Sequence, residues 1–328
     1  MHIRQTAIRT NRQQAGLTMI ELMVALAIGS FLMVGAIQIY AQSRHAFVIN
    51  ESIARVQETA QFAMDTIEAD LRMASNWGRN SRALAVEGRS LAGNFNPKGL
   101  PAPSTCGADW VLDLAMFVDG DNNAYTLPCG ANGGAQANSD VVTVRRVAVA
   151  ASVPEPGRLQ IQSTRIQGEL FADGIIPANY TAADSSTHNL LINSYYVAAQ
   201  SDLIPGSPTL RRKSLTTIGG VPTIIDQEVA PGVENLQIQF GVDVDGDNAV
   251  DRYVNPGDPV YDPAAVGYIP GARIISARIW LLVRGITPEV GIVDLRNYKP
   301  GDVDLGVYND AFRRMQVSKT ILLRNARS

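Results

Sequence analysis

The sequence contains few of the residues that metal binding and acid–base catalysis usually require. Only two cysteines and three histidines occur among its 328 residues, and the histidines are far apart. Neither cysteine has a further cysteine or histidine at the spacing that a structural metal site needs. Because no clustered catalytic set is present, we expect that the protein is not an enzyme. His188, in the polar stretch DSSTHNL, is predicted to be a solvated loop residue.

Positive charge is also scarce. The chain has 28 basic and 31 acidic residues, which gives a formal net charge of −3. Three of the 28 basic residues, Arg4, Arg9 and Arg12, precede Gly16, so the rest of the chain carries 25 basic and 31 acidic residues. Nucleic-acid binding needs a concentrated basic face. We therefore exclude nucleic acid as a partner.

The most prominent feature of the chain is an apolar run near its start, with no charged residue between Glu21 and Arg44. About 20 mostly apolar residues in a helix span the hydrocarbon core of a bilayer. Residues 17–40 are therefore predicted to cross a membrane, with the basic residues 1–16 in the cytoplasm. Glu21 lies inside this run, where a carboxylate costs roughly 3 kcal/mol and needs a partner.

The helical pattern continues through residues 41–75. Apolar residues recur there at steps of three and four, and no proline or glycine occurs between residues 42 and 73. This spacing predicts an amphipathic helix whose apolar stripe packs on the protein's own sheet. The stripe consists of Ile49, Ile53, Val56, Ala60, Ala63, Ile67 and Leu71.

Residues 76–140 are rich in glycine, proline and asparagine, and we predict a loop-rich insertion there. One strand candidate, residues 111–125, is expected to end in an Asp-Gly turn. Cys106 and Cys129 lie in this insertion, on the exported side of the predicted span, where disulfides persist. We predict a disulfide between them that stabilises the fold by roughly 3 kcal/mol.

Residues 141–328 are dominated by runs of alternating or β-branched residues. A helix followed by a series of strands predicts an α+β fold, in which an antiparallel sheet wraps the helix. The predicted strands are residues 141–150, 158–166, 190–199, 209–215, 235–242, 273–284 and 312–324.

The segment QQAGLTMIELMVALAIG, residues 13–29, resembles the class III signal of type IV prepilins and type II secretion pseudopilins. The resemblance implies that prepilin peptidase cleaves between Gly16 and Leu17 and methylates the new N-terminus. It also implies that Glu21 meets the N-terminal amine of a neighbouring subunit in the filament. Leu17 departs from the phenylalanine that is usual at this position. An uncleaved signal anchor with a stray glutamate is the alternative interpretation.

Three C-terminal segments, residues 234–254, 272–285 and 312–326, resemble the corresponding part of PilW-type minor pilins, and GspJ-type pseudopilins share this plan in weaker form. The resemblance implies a pilin-like α+β fold and a structural subunit of the type IV pilus priming and tip complex. Such a subunit supports pilus assembly, twitching motility and adhesion. Its implied partners are other minor pilins, the major pilin, prepilin peptidase, the inner membrane and a tip adhesin.

The same resemblance implies a location: one pass through the inner membrane, a periplasmic C-terminal region, and finally the pilus at the cell surface. Two alternatives stay open. One is a GspJ-like pseudopilin of a type II secretion system. The other is a membrane-anchored periplasmic module that binds its target in a Ca²⁺-dependent manner.

An acidic loop follows the strand predicted at residues 235–242. Ca²⁺ prefers six to eight oxygen ligands, and alternate residues of a tight loop can direct several carboxylates at one centre. The loop is not an EF-hand, because Asn248 occupies the sixth position and Val254 the twelfth. A Ca²⁺ site and a solvated Asp-Gly hairpin turn both remain open. Residues 119–123, DGDNN, repeat the pattern more weakly. The candidate ligands are Asp243, Asp245, Asp247 and Asp251.

Overall fold

The computed structural model describes residues 16, 18–91, 94, 96–103, 106 and 110–327. Leu17 and all of the predicted leader except Gly16 lie outside the described residues. The chain forms two compact units, Met1–Ser52 and Ile53–Ser328. One helix, α1 (Met19–Arg72), contributes residues to both units.

In the first unit, the large apolar side chains of α1 are exposed. Every leucine, isoleucine, methionine, valine and phenylalanine between Met19 and Ile39 has more than half of its surface accessible. The helix is long and apolar enough to cross a membrane. Such a surface matches lipid rather than water, because exposed apolar patches of this size are rare on soluble proteins. The predicted transmembrane-like helix is therefore confirmed.

In the second unit, α1 is amphipathic. The predicted stripe is buried from Val56 to Leu71, and Ile53 is half-buried. Two acidic residues, Glu68 and Asp70, are also buried here, although the apolar pattern gave no sign of them. Each has a basic partner on the sheet side, since Lys319 pairs with Glu68 and Arg146 pairs with Asp70.

Fourteen strands follow the helix in the described part of the chain, joined by loops and short 3₁₀ turns. Their bounds are β1 Val86–Glu87, β2 Val118–Asp121, β3 Val141–Val147, β4 Pro156–Ser163, β5 Gly168–Asp173, β6 Ser186–Ala198, β7 Thr209–Ile218, β8 Val221–Pro231, β9 Val233–Asp243, β10 Arg252–Val254, β11 Arg273–Arg284, β12 Asn297–Tyr298, β13 Gly306–Val307 and β14 Arg314–Leu322.

The long strand β6 is the centre of an eight-stranded sheet. Its first residues pair with β4, its middle with β3 and its last residues with β7. β5 extends the sheet beyond β4, β2 beyond β3, and β8 beyond β7. All of these pairs are antiparallel, and β1 joins β5 in parallel at one edge. The predicted strands at residues 190–199 and 209–215 correspond to β6 and β7, which form an antiparallel pair.

A second, four-stranded antiparallel sheet has the order β10-β9-β11-β14. The four apolar residues that alternate along β9, Leu236, Ile238, Phe240 and Val242, are all buried, but Asn235 and Gln237 between them are buried too, so both faces of this strand are covered. The four apolar residues join one hydrophobic core with the apolar stripe of α1 and with residues of the larger sheet. The predicted α+β fold, a long helix packed on antiparallel sheet, is confirmed.

The predicted strand at residues 111–125 is mostly wrong. Only Val118–Asp121 is a strand, and Trp110–Leu112 is a 3₁₀ turn. The Asp-Gly pair lies inside β2 rather than in a turn after it. A Cβ atom on Gly120 would lie 2.0 Å from the carbonyl oxygen of Val141, so glycine is required there for close approach of the two strands.

The prediction that His188 is a solvated loop residue is also wrong. It lies in β6 and is only 8% exposed. Its Nδ1 lies 2.9 Å from the carbonyl oxygen of Ala148, and its Nε2 lies 2.9 Å from Ser186 Oγ. The polar sequence around His188 gave no warning, because its burial is produced by strands that are distant in the sequence.

Candidate assembly and ion-binding sites

Helix α1 begins with a capping box formed by Thr18 and Glu21. The Thr18 backbone N–H and hydroxyl each donate to Glu21 Oε2 at 2.9 Å. The Glu21 N–H donates to Thr18 Oγ1 at 3.3 Å. This reciprocal arrangement satisfies donors that a helix N-terminus would otherwise leave unpaired. The sequence carries the signal Thr-x-x-Glu, a helix cap that the membrane and assembly interpretations of Glu21 did not include.

The capping box gives the Glu21 carboxylate hydrogen-bond donors but no positive charge. Among the described residues, no basic side chain forms an ion pair with Glu21. Gly16 is exposed, with open space where a side chain would be, and Leu17 lies outside the described residues. The predicted roles of Gly16, Leu17 and Glu21 in processing and assembly therefore stay predictions.

Asp243, at the end of β9, holds the acidic loop together. Its Oδ1 accepts the Gly246 N–H at 2.7 Å, and its Oδ2 accepts the Asn248 N–H at 3.0 Å. The Arg273 guanidinium donates to the same Oδ2 through Nε and a terminal nitrogen, at 3.1 and 3.0 Å. Burial raises the pKa of Asp243, but the bonds from Gly246, Arg273 and Asn248 outweigh it and leave the pKa below its ordinary value.

The structure brings together three of the four predicted calcium ligands. One carboxylate oxygen each from Asp243, Asp245 and Asp247 lies within 4.8 Å of the others. Asp251 is not in this group, and its Oδ2 accepts the Val244 N–H at 2.6 Å. The oxygen donors suit a hard cation, but Arg273 already supplies a positive charge to Asp243. The calcium site at this loop stays a prediction.

Cys106 and Cys129 form the predicted disulfide, and their Cα atoms are 4.4 Å apart. Cys106 is buried, and its carbonyl oxygen accepts the Trp110 indole N–H at 2.9 Å. The Tyr125 hydroxyl donates to the carbonyl oxygen of Cys129 at 2.7 Å. The bridge is therefore supported at both ends by aromatic side chains, and the disulfide prediction is confirmed.

Two protein-family models match parts of the chain. Residues 194–325 match the model of the type IV pilus-assembly protein W family, PilW, and residues 11–37 match the prokaryotic N-terminal methylation motif. No curated protein and no solved structure matches the chain. The first match runs from the second half of β6 to three residues beyond the end of β14 and includes the acidic loop. The second includes Thr18 and Glu21.

Proposed function

We propose that this chain, a type IV pilus minor pilin of the PilW type, is a structural subunit of the complex that primes the pilus and occupies its tip. Residues 17–40 hold it in the inner membrane, and the second unit lies in the periplasm until assembly. Its partners are the other minor pilins, the major pilin and a tip adhesin, and the complex supports twitching motility and adhesion.

The Glu21 carboxylate is the observation that carries this proposal. It lies on an exposed apolar helix, and its hydrogen bonds come from the neutral groups of Thr18. A carboxylate in lipid needs a positive partner. Cleavage between Gly16 and Leu17 leaves each subunit with a new N-terminal amine at the start of its membrane helix. The amine of a neighbouring subunit then supplies the positive charge that Glu21 lacks. Filament assembly then completes a site that a single chain leaves incomplete.

Glutamine at position 21 separates the two functions of Glu21. A Glu21→Gln side chain can still accept hydrogen bonds from Thr18, because glutamine serves in capping boxes, but it carries no charge. We expect Glu21→Gln to insert into the membrane normally and to abolish piliation in a strain that carries only the variant. Thr18→Ala is the matched control: it removes the cap but keeps the charge, and we expect pili to form.

Membrane fractionation and counts of surface pili by electron microscopy measure both effects. Normal piliation with Glu21→Gln would show that the capping hydrogen bonds are sufficient and that the charge has no role in assembly. Loss of pili with Thr18→Ala and not with Glu21→Gln would reverse the assignment of the two functions.

Processing gives an independent test of the same proposal. We expect mass spectrometry of the protein from sheared pili to find N-methyl-leucine at the first residue, because cleavage after Gly16 leaves Leu17 at the N-terminus. Recovery of assembled protein that still begins with Met1 would contradict the cleavage assignment.

A further inference from the structure

Three asparagine side chains converge on one carboxylate oxygen, Asp302 Oδ2. The amide nitrogens of Asn255, Asn122 and Asn123 donate to it at 2.6, 3.2 and 3.4 Å. Asn122 and Asn123 follow strand β2 of the larger sheet, and Asn255 follows β10 of the smaller sheet. We call these four residues, together with Asp140 and Gln237, the Asp302 cluster.

Asp140 brings a second carboxylate to the Asp302 cluster. It is 1% exposed, and its two oxygens accept the backbone N–H groups of Asn123 and Ile238, both at 2.8 Å. Asn123 therefore contacts both carboxylates, Asp140 with its backbone and Asp302 with its side chain. In the part of the chain that the structure describes, no lysine or arginine forms an ion pair with either carboxylate.

Two carboxylates that share only neutral donors differ from the acidic loop, where Arg273 pairs with Asp243. Asp140 is buried, and removing its negative charge from water without a counter-charge is costly, whereas Asp302 is exposed. Unlike Asp243, neither carboxylate of the Asp302 cluster has a basic partner among the described residues.

Two buried oxygen atoms of the cluster also lack a partner. Gln237 is 1% exposed, and its amide nitrogen donates to Asn123 Oδ1 at 3.3 Å and to the carbonyl oxygen of Asn138 at 3.0 Å. Its Oε1 has no hydrogen-bond partner among the described residues. The Gln237 side chain packs beside Gly301, the residue before Asp302, because a Cβ on Gly301 would lie 3.0 Å from Gln237 Cβ and 3.4 Å from Oε1.

Asn122 repeats the pattern. Its amide nitrogen donates to Asp302, while its Oδ1 is buried and unpaired within the described chain. Buried acceptors rarely remain without a donor or a cation.

We propose that the Asp302 cluster binds a hard divalent cation, Ca²⁺, through the Asp302 carboxylate and the side-chain oxygens of Asn122 and Gln237. Ca²⁺ accepts carboxylate, amide and water oxygens in a flexible geometry, so water completes its shell on the exposed side of Asp302. Asp140 lies behind Asn123, and burial raises the pKa of its carboxyl group to about 7. The bound ion links the end of β2 in one sheet to β9 in the other.

The experiment uses the full chain in detergent, stripped with EGTA and titrated with Ca²⁺ by calorimetry, with Mg²⁺ as the comparison ion. Asp245→Asn, which disables the acidic loop, is included so that the heat that remains belongs to the Asp302 cluster. In that background we expect Asp302→Asn to weaken Ca²⁺ binding by about tenfold or more, because Ca²⁺ affinity follows the number of charged ligands.

Asn122→Asp gives the opposite result, because it adds a carboxylate to the proposed shell and should tighten Ca²⁺ binding by about tenfold. Its matched control is Asn132→Asp. The Asn132 amide donates to Asp202 at 3.2 Å in the same manner, but Arg211 already pairs with Asp202 at 2.8 Å. We expect no change in Ca²⁺ affinity for this control.

Loss of all Ca²⁺ heat in Asp245→Asn would overturn the proposal and leave a hydrogen-bonded cluster that holds water only. So would an Asn122→Asp variant whose affinity equals that of Asn132→Asp. If Asp302→Asn does not fold, Asn122→Asp still decides, because it adds a ligand, removes only the hydrogen bond from the Asn122 amide to Asp302 and keeps the contacts to Asp140.

Discussion

Replacing Asp70 with alanine should strongly destabilise the second unit, because this buried carboxylate joins α1 to the larger sheet. Its Oδ1 accepts two hydrogen bonds from Arg146 on β3, at 3.0 and 2.6 Å. Its Oδ2 accepts one each from Asn193 and Tyr195 on β6, both at 2.6 Å. Asp70 is 4% exposed, and the Arg146 side chain is 16% exposed.

Removing one partner of a buried ion pair costs about 3–5 kcal/mol, because the other charge is left buried and unpaired. We expect about 4 kcal/mol for Asp70→Ala, which corresponds to a lowering of Tm by about 10 °C for a unit of this size. Asp70→Ala combined with Arg146→Met should recover part of this loss, since the double change leaves no buried charge.

Urea denaturation of the full chain in detergent, followed by tryptophan fluorescence, measures the free energy of unfolding. Glu58→Gln is the control: Glu58 is an exposed carboxylate on the same helix, and its replacement should change stability by less than about 0.5 kcal/mol. A loss for Asp70→Ala no larger than that of Glu58→Gln would refute the argument. A double variant less stable than Asp70→Ala would show that Arg146 stabilises through its other contacts.

Two further predictions concern the loops. Non-reducing digestion should yield a linked peptide pair with Cys106 and Cys129, and replacing both with serine should raise hydrogen exchange in residues 76–140 more than in β9 and β11, which have their own core. Free thiols in the exported protein would contradict this. If the acidic loop binds Ca²⁺, the ion stabilises the fold by up to about 2.7 kcal/mol at a concentration of 100 times Kd, and Tm rises accordingly. Asp245→Ala should remove a share of this rise in Tm. No change in that rise would leave a solvated turn.

The elements predicted correctly are those whose pattern is local. The helical stripe of α1 and the alternating apolar residues of β9 each lie within one short segment, and both pack in the same hydrophobic core. Strand β8 was missed although a local signal existed. Gly219 and Gly220, with φ of 59° and 76°, form the two-residue turn between Ile218 and Val221, and consecutive positive φ values are typical of a tight hairpin.

Features that depend on contacts distant in sequence could not be predicted. Glu68 and Asp70 interrupt the apolar face of α1. Their burial is explained by ion pairs with Lys319 and Arg146, which are distant in the sequence. His188 is buried for the same reason, because residues 186–189 at the start of β6 are polar and β4 pairs with them from a distant part of the sequence.

The two acidic loops show why counting carboxylates in a sequence is a weak guide to cation binding. The loop with four aspartates has the stronger pattern, yet Arg273, thirty residues from Asp243, supplies a counter-charge there. Asn122 and Asn123 belong to the weaker pattern, and the carboxylate that they contact, Asp302, is about 180 residues away. The charge balance of a loop is known only once the fold has placed basic side chains and hydrogen-bond donors around it. The better candidate for a cation site is therefore the one whose oxygen atoms still lack a partner in the folded structure.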